Sequence, residues 1–143
     1  MARFTGPLGL CFLLVFCVAA GCAGAKQPDR NDLLHRRFVL ESVDGAAFSS
    51  SVKTPDIEFN ENFRVSGQMC NRYTGQGELA NGVLTVRQMA STKMLCVDQE
   101  LNALEQLFGV MLREGAAIDL SGTTLTLRQG GHVLVFTLRD WVH

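Results

Sequence analysis

Two of the five cysteines in this 143-residue chain lie deep in the sequence, Cys70 in "SGQMCNRYTG" and Cys96 in "STKMLCVDQE". Such a pair could supply a nucleophile, hold a metal ion or close a disulfide. Cys96 falls just ahead of a helical pattern, where the helix dipole would stabilise a thiolate, so if the pair were reduced Cys96 would be the reactive one. Against thiol chemistry, no C-x-x-C spacing occurs, and His35, His132 and His143 bear no motif relation to either cysteine. Zinc needs three or four clustered ligands, which these residues do not offer, so neither a metal nor a cofactor is expected. Glu58 and Glu61 are neighbouring carboxylates in a strand-and-turn context, where solvated charge is the default. The glycines of "GQG", Gly75 to Gly77, have no phosphate-loop lysine and no helix after them, which points to a bent or bulged strand. Ser91 and Thr92 lack a nucleophile elbow. No catalytic constellation is present, and the expectation is a protein that is not an enzyme.

The N-terminus sets the redox compartment. Arg3, the apolar run "LGLCFLLVFCVAA" and a small-residue exit describe a secretory signal over residues 1–21, too short and too interrupted for a membrane span. "VAAGC" resembles the lipobox of bacterial lipoproteins, with Ala19 where leucine is preferred, which makes Cys22 the expected lipidation site and new N-terminus. A multiply acylated cysteine anchors stably, so the membrane becomes a partner through Cys22. Ala23 after that cysteine, rather than aspartate, points to the outer membrane and a periplasm-facing domain. In an oxidising compartment Cys70 and Cys96 are the two cysteines left in the folded part, and a disulfide between them is expected. Closing that 26-residue separation would stabilise by about 3–4 kcal/mol on the chain-entropy model. A thiol-redox protein using the same pair is the alternative.

Without Arg3, 12 basic residues face 14 acidic ones, and no basic stripe exists, so nucleic acid is not expected as a partner. Residues 22–35 are polar and aperiodic at their start and suggest a flexible tether, with the domain spanning 36–143. Within it, "RFVLESV" and Asp44-Gly45 suggest a strand and a turn, "DIEFN" alternates with period two, and "FRVSG" continues it. Asn81-Gly82 and Gly130-Gly131 each predict a tight hairpin between strand-like runs. Between these hairpins, Leu101, Leu104, Phe108, Met111 and Leu112 recur at helical spacing, with Leu107 widening the stripe and Asn102, Gln106, Gly109 and Arg113 opposite. Asp98 suits the N-cap, Glu100 the first turn and Gly115 the stop. Short strands, tight turns and one long helix predict an α+β domain: a small, curved antiparallel sheet or partly closed barrel with the amphipathic helix packed against it.

The runs "RFVLESVDG", "SGQMCNRYTGQGEL", "NGVLTV" and "MASTKMLC", followed by the amphipathic helix and "LTLRQ", resemble a META domain, and within that family the HslJ heat-shock lipoproteins. Met69 stands where the wider family usually has glycine before the cysteine, and Phe38 where it often has tryptophan. The resemblance implies a calycin-like barrel, an association with heat and envelope stress, and no established reaction. Asn71, Tyr73 and Gly75 match the family motif and are expected to serve turns and packing.

Three classes of function remain. The favoured one is a non-catalytic envelope module binding an apolar small molecule or an envelope protein. The others are a thiol-based or hydrolytic enzyme and a purely structural lipoprotein. A small barrel can fill its interior with side chains or hold one apolar ligand. Phe38, Phe59, Phe63, Leu84, Val86, Leu125, Leu127, Val135 and Phe136 are the expected lining, with the helix as a lid.

Overall fold

The structure, a computed structural model, describes residues 27–141. The signal segment 1–21, the proposed lipidation site Cys22 and His143 lie outside the described residues.

The chain begins its fold earlier than its polarity suggests. Asp29 caps a one-turn helix, α1 (Arg30–Leu33): its side chain accepts from the Asp32 amide while the Asp32 side chain accepts from the Asp29 amide. Leu33 is fully buried, Pro28 is buried, and the Arg30 guanidinium sits 4.9 Å above the Phe63 ring centroid. The expected tether over 22–35 is therefore corrected from Pro28 onward. The capping box and one apolar side chain dock that stretch onto the barrel, although it is too short to show any period.

Among the described residues nine strands follow: β1 (Arg36–Val43), β2 (Ala46–Ala47), β3 (Asp56–Phe59), β4 (Arg64–Gln68), β5 (Arg72–Ala80), β6 (Val83–Ser91), β7 (Ala116–Ser121), β8 (Thr124–Gln129) and β9 (His132–Trp141). The sheet runs β1-β3-β4-β5-β6-β7-β8-β9, and β9 pairs back onto β1, closing an antiparallel eight-stranded barrel with β2 as an outlying hairpin arm. Closure removes the edges that an open sheet of this length would expose. Asn81-Gly82 and Gly130-Gly131 both take positive φ at the two turn centres, as the tight hairpins require.

One seam is incomplete. β6 pairs with β7 only at Val83 and Leu84, whereas β5 accompanies it as far as Ser91. Helix α2 (Gln99–Glu114), which connects these two strands in sequence, packs over the gap. Asp98 accepts from the Leu101 amide at its N-terminus, and Gly115 ends it with φ 102°. Leu101, Leu104, Phe108, Met111 and Leu112 are buried, and each fully buried side chain of this size contributes about 2 kcal/mol of transfer free energy. Gly109, expected on the outer face, is buried as well, because that side of the helix faces the end of β6.

The interior is filled. Phe38, Phe59, Phe63, Leu84, Leu125, Leu127 and Phe136 are 0% exposed, and Phe59 stacks on Phe63 at 5.5 Å. Val135 does not belong to this lining. In β9 the inward positions are Leu134 and Phe136, so Val135 faces out, half-buried. The run "HVLVFTL" is apolar on both faces, and composition alone could not assign its register.

Candidate functional site

The loops β2–β3, β4–β5 and β6–α2 meet at one end of the barrel, and of the expected site residues Cys70, Cys96 and Asn71 gather there. Cys70 and Cys96 form a disulfide with Cα atoms 5.8 Å apart, joining β4–β5 to β6–α2. Lys53 Nζ donates to the Cys70 carbonyl at 2.9 Å, and Ser50 Oγ donates to Asp98 Oδ2 at 2.9 Å, which brings in β2–β3. The Leu101 amide and then the Ser50 hydroxyl hold the Asp98 carboxyl below the usual carboxylate range.

Asn71 is the hub, and it is buried. Its Oδ1 accepts from the Met94 amide at 2.7 Å and from Thr92 Oγ1 at 3.0 Å, while its Nδ2 donates to Glu105 Oε1 at 2.9 Å. The Asn71 amide also donates to Glu105 Oε2 at 2.5 Å. One side chain thus fixes the β6–α2 connection and ties it to the middle of α2. Glu105 was not singled out by sequence reasoning. The available signal was a carboxylate four residues after Leu101 and three before Phe108, on the apolar stripe, where a charge needs partners.

Tyr73 lies inside, its hydroxyl donating to the Asp56 carbonyl at 2.8 Å and its ring edge-on to Phe108 at 5.2 Å. Burial, followed by the nearby Asp56 and Glu58 charges, pushes its hydroxyl well above the ordinary tyrosine pKa. Gly75 is a spacing residue: a Cβ there would come within 2.5 Å of Val86 Cγ1 and 2.9 Å of the Arg87 carbonyl. Opposite it β6 bulges, with Gln88 at φ 51°. The "GQG" glycines therefore serve strand packing. Their closeness to the Cys70 motif in sequence reflects this shared turn and strand.

A second polar feature was missed. Asp56, 3% exposed, accepts from Arg37 Nε at 2.8 Å, Arg37 Nη2 at 2.6 Å and the Gln68 amide at 2.9 Å. This bond to Asp56 leads the effects that raise the Arg37 guanidinium pKa. Arg37 also reaches Asp140 and Glu58, at 3.1 and 3.4 Å. These residues wall part of an open concavity of about 720 Å³, whose lining also includes Gly67, Tyr73 and Ala90. Each carboxylate that lines it, Asp56, Glu58 and Asp140, is paired with Arg37. His132 is paired with Asp44 at 2.9 Å, and Asp44 also accepts the Val133 amide, so this pair joins two turns. Among the described residues no three of His, Cys, Asp and Glu converge as metal ligands.

The disulfide end also concentrates apolar surface. Among the described residues the exposed large hydrophobics are Val52, Val83, Met94, Leu95 and Val97. Four of these five lie on the loops just described, with Leu95 90% and Val97 79% exposed. Beside them a groove of about 340 Å³ runs between the end of β6 and α2. Met69, Met89, Phe108 and Gly109 line it, with Lys93 and Arg113 among its polar residues.

The model of the META domain family matches residues 31–141. The chain is 41% identical over 133 residues to the heat shock protein HslJ of Escherichia coli K12, covering 90% of this chain and 94% of that one. A solution NMR structure with 42% identity superposes with a TM-score of 0.73, covering 79% of this chain and 97% of its own. An NMR structure from Burkholderia xenovorans, 16% identical with a TM-score of 0.66, shares the fold. With the motifs around Cys70 and Cys96 and the closed barrel they close upon, these matches establish that the chain belongs to the META domain family, on its HslJ branch.

Proposed function

We propose that this protein acts by binding, without catalysis, as a stress-associated lipoprotein. In this reading it is anchored through Cys22 in the outer membrane and presents the disulfide end of its barrel to a protein partner in the periplasm. The carrying observation is the set of exposed apolar side chains at that end. Val52, Met94, Leu95 and Val97 project from loops held by the Cys70–Cys96 bridge, the Asn71 hydrogen bonds and the Ser50–Asp98 bond. Tying these loops to the fold lowers the entropy that a partner must remove on docking, and large apolar side chains gathered on the loops of one end are a mark of interaction sites.

The filled interior argues against carriage of an apolar ligand inside the barrel, since a ligand would have to displace Phe38, Phe59 and Phe136 from the core. The bonded cysteines and the paired Arg37 cluster favour binding over thiol or hydrolytic chemistry. The name of the E. coli relative supports the link to heat stress.

A double variant, Leu95→Asp with Val97→Asp, tests the reading. Both side chains are exposed, so the melting temperature stays close to native, while the variant fails to restore growth at elevated temperature to a strain lacking the gene. Full restoration by a variant present at native levels sinks the proposal.

A further inference from the structure

From the way the chain enters its fold we infer that one end of the barrel, the end carrying α1 and the β5–β6 turn, faces the lipid surface that holds Cys22. The disulfide end then points away from the lipid, and the partner it meets is a protein whose docking surface stands clear of that leaflet. This rests on the anchored, partner-binding reading proposed above and gives its site a direction.

The strands place the entry point. The barrel is an antiparallel meander, so its connections alternate between two ends. The β3–β4, β5–β6 and β7–β8 turns lie at the end where β1 starts, opposite the disulfide end. α1 sits there too. The His35 amide donates at 2.7 Å to the carbonyl of Phe59, where β3 ends, and the Arg30 guanidinium lies over Phe63 in the β3–β4 turn. Gln27 rests against the β5–β6 turn, where a Cβ on Gly82 would stand 2.7 Å from Gln27 Cδ. Buried Pro28 and Leu33 and the capping box of Asp29 and Asp32 hold this stretch down. Peeling it away to lengthen the tether would expose that apolar surface to water.

Two lengths then decide the orientation. Gln27 is the fifth residue after Cys22, a reach of about 17 Å at full extension. β6 climbs the barrel in nine residues, about 30 Å of strand, and the usual barrel tilt leaves about 20–25 Å of that along the axis. Met94, Leu95 and Val97 follow the upper end of that strand. An inverted domain, with these apolar side chains in the leaflet, would need the tether to run back along the whole barrel, and the tether is too short. Upright, the same tether keeps the α1 end beside the lipid and holds Leu95 and Val97 about a barrel's height above it.

The test is paramagnetic NMR on the mature, acylated protein in phosphatidylethanolamine–phosphatidylglycerol nanodiscs doped with a gadolinium-chelating lipid. Relaxation enhancement falls with the sixth power of distance, so the amides of α1, Asn81 and Gly82 should relax several times faster than those of residues 94–97. Cys22→Ser protein mixed with the same nanodiscs should show no such gradient, because the tether sets the orientation. Equal enhancement at both ends, the mark of a domain lying on its side, overturns the inference, as does stronger enhancement at residues 94–97. So does enhancement of residues 94–97 in the Cys22→Ser protein, which would make the apolar loops a lipid-binding element. Mass spectrometry of the same sample separates the two readings. An acylated Cys22 with a flat or reversed gradient ends this inference alone, whereas an unmodified N-terminus ends the anchored reading and this orientation together.

Discussion

Replacing Asn71 with alanine removes the hub of the disulfide end, and the cost can be worked from its bonds. The Nδ2 bond to the Glu105 carboxylate at 2.9 Å is charge-assisted, a class that contributes about 1.5–3 kcal/mol. The Met94 amide and Thr92 hydroxyl bonds to Oδ1 are neutral, at about 1 kcal/mol each. Thr92 is exposed, so water replaces its partner, and Glu105 keeps the Asn71 backbone amide. The net loss is then about 3 kcal/mol, or about 10–15 °C in melting temperature for a domain of this size. Asn71→Asp is the sharper control, since it keeps the Oδ1 acceptor but sets a carboxylate oxygen against Glu105 Oε1. It should be worse than alanine at neutral pH and recover part of the loss in acid, where the introduced aspartate is protonated. An Asn71→Ala, Glu105→Ala cycle should show coupling of about 1–2 kcal/mol. The assays are thermal and urea unfolding, together with hydrogen exchange at the Met94 amide, which should lose protection. A melting change of only a few degrees with Met94 still protected would refute the hub.

Further outcomes are expected. Cys70→Ala and Cys96→Ala should each cost about 3–4 kcal/mol, and the double variant should be no worse than either, because one bond is lost in all three; additive losses or two free thiols in periplasmic protein would restore thiol chemistry. Because folding raises the Tyr73 pKa, its contribution is complete below pH about 10, the unfolded value, and falls as pH climbs from there towards the folded pKa. Tyr73→Phe should therefore flatten the alkaline loss of stability measured by urea unfolding, and an unchanged slope would count against it. Cys22→Ser should release the protein from the outer membrane to the soluble periplasm, whereas an unmodified N-terminus at another residue in mass spectrometry would end the lipoprotein reading.

The barrel was legible because its signals are local. Asn81-Gly82 and Gly130-Gly131 dictate two hairpins, and the stripe from Leu101 to Leu112 dictates the helix. Closure was less so, because β1 and β9 meet across the whole length of the domain and no local pattern encodes that pairing. The start of the domain escaped notice for the opposite reason: one capped turn and the buried Leu33 are too little sequence to form a period. At the site, the cysteines, Asn71 and Tyr73 stood out by motif. The groove did not, since Gly109 and Arg113 look like the solvent side of a helix until β6 is seen to end beside them. Leu95 and Val97 looked like ordinary loop residues, and only the bridge at Cys96 explains why they are held in the open.

The central claim is that the disulfide end meets a protein. A photo-reactive side chain placed at Leu95, with a control at Thr123 in the β7–β8 turn, measures this directly in intact cells at elevated temperature. The account predicts a discrete protein adduct from position 95 that position 123 does not give. Phospholipid adducts alone, equal labelling from both positions, or no adduct from position 95 would contradict it.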